Sequence, residues 1–123
     1  MKPVFQTKFG GSDTSIAEQG NCITACLASL FEVPLEDVPD RADYDSHAAW
    51  WLAIDGWLAK RNLTLMVVPQ KQPSPLTFPA HCLGFTKSAT LANPDDRHCV
   101  VLDKTGQLAH DPNPRAHEQG ALE

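Results

Sequence analysis

Residues 97–111 read RHCVVLDKTGQLAHD. Cys99 to Leu102 carries apolar and β-branched residues, the chain returns over Gln107 to His110, and between them Asp103, Lys104, Thr105 and Gly106 are turn formers. The simplest hairpin puts Lys104 and Thr105 at its tip. Asp103 then faces Gly106, Val100 faces Ala109, and His98 faces Asp111 with Cβ atoms about 5 Å apart on one face of the sheet. A second register stays open. A glycine at the fourth turn position readily turns left-handed and inserts a bulge, which shifts the pairing by one and points Asp111 away from His98. Pro112 ends the pairing in either case and lets Asp111 bend back.

A carboxylate that orients an imidazole lacks only a nucleophile to make a catalytic triad. Upstream, Cys22 lies where a loop becomes a helix. Ile23, Cys26, Leu27, Leu30 and Phe31 recur at intervals of three and four from it, with Asn21 as the expected cap and Pro34 bounding the end. Helix cysteines are commonly small apolar fillers, and Cys26 is assigned that role. Cys22 differs, because unpaired N–H groups and the dipole at a helix start favour the thiolate, and its own N–H can serve as an oxyanion donor.

Ser46 is a second expected cap, ahead of Trp50, Trp51, Ile54, Trp57 and Leu58 on one broad helical stripe. Their spacing marks the tryptophans as core rather than a stacking platform. Leu63 to Val68, Ala80 to Phe85 and Cys99 to Leu102 then read as strands. The order of two helices followed by three or four strands predicts an α+β fold, with the N-terminal cysteine-bearing helix packed on a small antiparallel sheet. The residues before Gly20 read as an extended lead-in with a polar loop. The connections Pro69 to Pro79 and Thr86 to Arg97 are long enough to flank a site, although such surface segments commonly do no more than connect.

Other residues compete for these roles. His81 also starts a strand and has Asp95 and Asp96 downstream, which makes it the alternative base; His98 is preferred because it leads into a hairpin that returns an aspartate. His47 is expected to pack in the tryptophan stripe or cap its helix, and His110 and His117 to lie at the surface. Cys22, Cys26, His98 and Cys99 form a conceivable zinc set. However, neighbouring strand residues point to opposite faces and no Cys-x-x-Cys knuckle is present, so neither metal nor other cofactor is expected.

The chain has 123 residues, 42% of them hydrophobic, which fits one domain spanning 1–123. A net charge of -5, with acidic groups at Glu32, Glu36, Asp37, Asp40, Asp43 and Asp45, leaves no basic stripe for nucleic acid. No apolar run approaches the ~20 residues that span a bilayer, and Met1 to Gly10 lacks a secretory hydrophobic block, so no membrane partner and a cytoplasmic address are expected. Four cysteines in that setting read as free thiols.

Gly20-Asn21-Cys22 opening an apolar helix, Arg97-His98-Cys99-Val100-Val101, and His110-Asp111-Pro112 together resemble papain-like cysteine peptidases, especially the compact C39-like branch related to bacteriocin-processing peptidases. Gln6-Thr7, Val38-Pro39-Asp40 and the Trp50 helix extend the resemblance, over Gln6 to Pro114, to short papain-like proteins of phages and prophages. The resemblance implies a minimal papain-like core in which Cys22 is the nucleophile, His98 the general base and then acid, and Asp111 the residue that orients the ring. It also implies an oxyanion-hole glutamine. Peptidases of this fold commonly place it shortly before the cysteine, where this chain has Ile16. Gln6 matches the early glutamine of the phage proteins and Gln19 lies nearer in sequence; both are candidates, with Gln6 preferred. The implied activity is thiol-mediated hydrolysis of an amide, peptide or isopeptide bond in a protein or peptide substrate. The alternative is a binding protein of the same shape that does not turn over, such as a phage factor acting on a host target.

Overall fold

The computed structural model describes residues 1–10, 15, 19–65, 81–87 and 97–114. Among them are helix α1 (Cys22–Phe31), short 3-10 turns at Leu35–Asp37 and Arg41–Asp43, helix α2 (His47–Ala59), and strands β1 (Cys82–Lys87), β2 (Arg97–Leu102) and β3 (Leu108–His110). The strands form an antiparallel sheet in the order β1-β2-β3, and the class is α+β. No helix among the described residues is long and apolar enough to cross a membrane.

Both helices stop by left-handed residues. Glu32 takes φ 56° after α1, and the N–H groups of Glu32 and Val33 both donate to the Ala28 carbonyl. Asn62 (φ 59°) does the same after α2, sending the Leu63 N–H back to the Leu58 carbonyl at 3.0 Å. That closure corrects the strand expected from Leu63 to Val68. Leu63, Thr64 and Leu65 lie in no strand because their chain is still completing the helix end; 66–68 fall outside the described residues. The Pro69 to Pro79 connection and His117 also fall outside them. Of the expected strand Ala80 to Phe85, the part from Cys82 on is in β1, which runs on to Lys87, and β2 starts at Arg97, so both ends of the Thr86 to Arg97 connection belong to the sheet; 88–96 are not described.

Ser46 caps α2 as its sequence suggests, its Oγ accepting the Ala49 N–H at 3.0 Å. Trp50, Ile54 and Leu58 are buried with Leu27, Ala28 and Val38 in the core between the helices. The indole N–H groups of Trp50 and Trp57 donate to the carbonyls of Pro39 and Asp37 at 3.0 and 2.9 Å, pinning the segment between α1 and α2. Tryptophan here has both packing and a hydrogen-bonding partner. His47 sits in the stripe against Trp50 and Trp51, its Nε2 2.7 Å from Trp51 Nε1. A second cluster joins α1 to the sheet through Cys26, Cys99 and Val101, all fully buried, with Ile23, Leu30 and Leu83 against them.

The hairpin adopts neither simple register. Gly106 is left-handed (φ 85°), its N–H donates to the Asp103 carbonyl at 3.0 Å, and the Asp103 N–H reaches past it to the Gln107 carbonyl at 2.8 Å. Asp103 therefore does not face Gly106, and the strict ladder is corrected by the glycine bulge. A second irregularity follows, since Leu102 pairs with Leu108 but Val101 pairs with His110, leaving Ala109 unopposed. One bulge alone would turn Asp111 to the face opposite His98. Two bulges restore the parity, and continuing the pairing sets Asp111 across from Val100, diagonal to His98 on the same face.

His110 is not a surface residue. It faces the same side as fully buried Val101, and the N-terminal segment lies over it: its Nε2 is 2.8 Å from the Val4 carbonyl and its ring meets Phe5 edge-on at 5.1 Å.

Candidate functional site

Cys22 is the first residue of α1 and is half-buried. The preceding Asn21 does not cap the helix with its side chain. Its Oδ1 instead accepts the N–H groups of Thr7 and Lys8 at 2.9 and 3.0 Å, and its Nδ2 donates to Thr7 Oγ1 at 3.0 Å. Three hydrogen bonds to an extended segment outcompete one to the helix, and they lash residues 7–8 beside the end that carries the thiol.

On β2, His98 Nε2 lies 2.6 Å from Asp111 Oδ1, with side chains only 11% and 7% exposed. The same oxygen accepts the Asn113 N–H at 2.9 Å, so the turn after Asp111 holds the carboxylate in place. The Cys22 side chain also acts on the ring and raises the imidazole pKa alongside Asp111. From the other side the Cys99 N–H donates to Cys22 Sγ at 3.4 Å. Thus Cys22, His98 and Asp111 meet where the start of α1 touches β2.

The electrostatics follow from that contact. Burial pulls the His98 imidazolium down, but the hydrogen bond to Asp111 and then the hydrogen bond and charge of Cys22 outweigh it, and its pKa is pushed up from 6.5 to about 10. The ring is cationic at neutral pH. Cys99 is pushed well above the ordinary thiol value of 9.0 by its hydrogen bond with Cys26 and then by burial, so it stays a neutral thiol. Cys26 is the buried filler its position suggests, and its thiol donates to the Cys99 carbonyl at 3.3 Å.

The two glutamines part company. Gln6 is buried at 6% exposure; its N–H donates to the Pro112 carbonyl at 2.8 Å, and its amide Nε2 to the Lys8 carbonyl at 2.9 Å. A Cβ on Gly20 would stand 3.9 Å from that Nε2, which places the amide beside the Gly20-Asn21-Cys22 turn. Gln19 is half-buried and bridges Gly10 through its backbone. His81 is exposed beyond the Cys82–Leu102 pair, at the far end of the sheet from the Thr86–His98 pair, and does not join the site.

Two contributors escaped the sequence analysis: the Cys99 N–H on the sulfur, and the use of Asn21 as a tether. A backbone donor carries no residue signature, and asparagine before a helix signals a cap first. Also unanticipated are buried acceptors, Asp111 Oδ2 and Gln6 Oε1, without a hydrogen-bond partner among the described residues. A cavity of about 280 Å³ borders Asn21, Thr24, Val38, Asp40 and Asp43, and Thr24 lies on the side of α1 away from Cys22. Comparison with protein-family models, with curated proteins and with solved structures returned no match to this chain.

Proposed function

We propose that this protein is a cysteine hydrolase with a papain-like active site, in which Cys22 attacks the carbonyl of an amide, peptide or isopeptide bond in a protein or peptide substrate. The observation that carries this reading is the 2.6 Å contact between His98 and Asp111, on a ring whose cationic form the nearby Cys22 side chain also favours. The charged ring on one side and the Cys99 N–H on the other surround the sulfur with donors suited to a nucleophile. After attack, His98 protonates the leaving amine, the substrate acyl group remains on Cys22 as a thioester, and the now neutral ring draws a proton from the water that hydrolyses it. The Cys22 N–H and the amide of Gln6 are the candidate oxyanion donors. The chemistry asks for no cofactor, and four free thiols suit the reducing cytoplasm, including that of a phage host.

A binding protein of the same shape that does not turn over is the second reading. It is favoured by Gln6, whose Nε2 is engaged by the Lys8 carbonyl rather than held open toward a substrate. An electrophilic thiol probe and trapping of acyl partners from native lysate, compared with Cys22→Ala, decide between them. Turnover requires selective modification of Cys22 over Cys26, Cys82 and Cys99 at neutral pH, loss of that selectivity in His98→Ala, and thioester-linked acyl adducts on Cys22. Uniformly low reactivity of all four thiols would sink the hydrolase and leave the binder.

A further inference from the structure

Three thiols line one seam of this molecule, and the proposed mechanism uses only one of them. Cys22 is half-buried, while Cys26 and Cys99 are fully buried, the Cys26 thiol donating to the Cys99 carbonyl. The Cys99 N–H is 3.4 Å from Cys22 Sγ. By covalent geometry, that sulfur lies at most roughly 6 Å from the Cys99 Cβ, which makes the two thiols neighbours across the seam. Cys22 and Cys26 are held about 5–6 Å apart at Cβ by the helix itself, beyond the ~3.5–4.5 Å a disulfide takes, whereas Cys99 lies on a separate strand whose approach to Cys22 is not fixed by helix geometry.

We propose that Cys22 and Cys99 form a reversible disulfide when the site meets a hydroperoxide. This rests on Cys22 being the reactive thiol, as in the hydrolase reading. In the first step the Cys22 thiolate attacks the terminal oxygen of the peroxide; the O–O bond breaks, sulfur is oxidised to the sulfenic acid, and the alkoxide or hydroxide leaves to take up a proton. In the second, Cys99 sulfur displaces the sulfenic hydroxyl, forming the S–S bond, and the Cys99 thiol proton leaves with that hydroxyl as water. A low-molecular-weight dithiol returns both sulfurs to thiols. Because Cys99 is held neutral and buried, peroxide does not consume it first, and its enforced nearness to Cys22 replaces the nucleophilicity that a free thiolate would bring. The disulfide bars Cys22 from acyl transfer and protects it from irreversible over-oxidation.

The test treats the intact protein with hydrogen peroxide at near-stoichiometric dose, then measures intact mass, maps disulfides by digestion, and titrates Cys22 with iodoacetamide before and after dithiothreitol. The expected result is loss of two hydrogens, a Cys22–Cys99 linked peptide, blocked labelling at Cys22, and full recovery of labelling on reduction. In Cys99→Ser, the same dose should drive Cys22 to sulfinic and sulfonic acids that reduction does not reverse. A disulfide that omits Cys22 or Cys99, or over-oxidation of Cys22 in the unaltered protein, overturns the proposal whether or not the variant folds. Iodoacetamide reactivity at Cys22 before oxidation separates the failures. If Cys22 is selectively reactive yet no disulfide forms, the disulfide alone is wrong; if Cys22 is inert, the hydrolase reading falls with it.

Discussion

In the proposed mechanism, His98 concentrates the chemistry into one ring. Its charge survives in a nearly buried place because Asp111 and Cys22 both stabilise it, and losing the carboxylate should therefore release it. In Asp111→Asn the His98 titration, followed by imidazole proton NMR, is expected to drop from about 10 back toward 6.5, and turnover or Cys22 alkylation at neutral pH to slow by roughly 100-fold or more. A His98 titration unchanged by the substitution would show that Asp111 does not hold the ring. The same shift links to stability. Since the folded-state pKa is raised, the native protein keeps a proton that the unfolded chain releases, so the contribution is fully present below pH 6.5 and is lost as pH climbs to about 10. Urea denaturation of the unaltered protein and of His98→Gln should give a stability gap that is widest near pH 6 and narrows steadily toward pH 10.

At the scale of elements, the sheet is aimed by its irregularities. Gly106 adds one residue to the hairpin and Ala109 a second; either alone would turn Asp111 away, and the two together keep it on the face of His98. The Asp103–Gly106 turn and the strand residues were legible from sequence, because turn chemistry is local. The second bulge was not, since it depends on how β3 meets β2 and the N-terminal segment that packs over His110. Gly84 shows the same dependence on neighbours. It pairs with Val100, and a Cβ there would stand 2.7 Å from Leu102 Cδ1. Gly84→Ala should displace Leu102 and cost about 1–3 kcal/mol, read as a lower denaturation midpoint. A midpoint within error of the unaltered protein would mean that Leu102 yields freely.

Across the whole molecule, two cores meet along α1. One faces α2 through Leu27, Trp50 and Ile54, and the other faces the sheet through Cys26, Cys99 and Val101. The site sits on the second, so Ile54→Ala should lower stability by about 2–5 kcal/mol while folded protein keeps its Cys22 alkylation rate. A matching loss of reactivity would show that the two cores move together. The N-terminal segment ties these parts: Lys2 and Val4 bind Ser29 of α1, Gln6 binds Pro112 after the hairpin, and Asn21 binds Thr7 and Lys8. None of these long-range bonds is written in a local pattern. Periodicity and turn chemistry alone determined the two helices, the β-hairpin, the position of Cys22 at a helix start and the candidacy of His98 and Asp111, because each follows from interactions between near neighbours in the chain. The double bulge, the burial of Gln6 and His110, the tethering role of Asn21 and the meeting of sulfur with imidazole were decided only by tertiary structure, where packing between distant segments selects among partners that local sequence leaves equivalent.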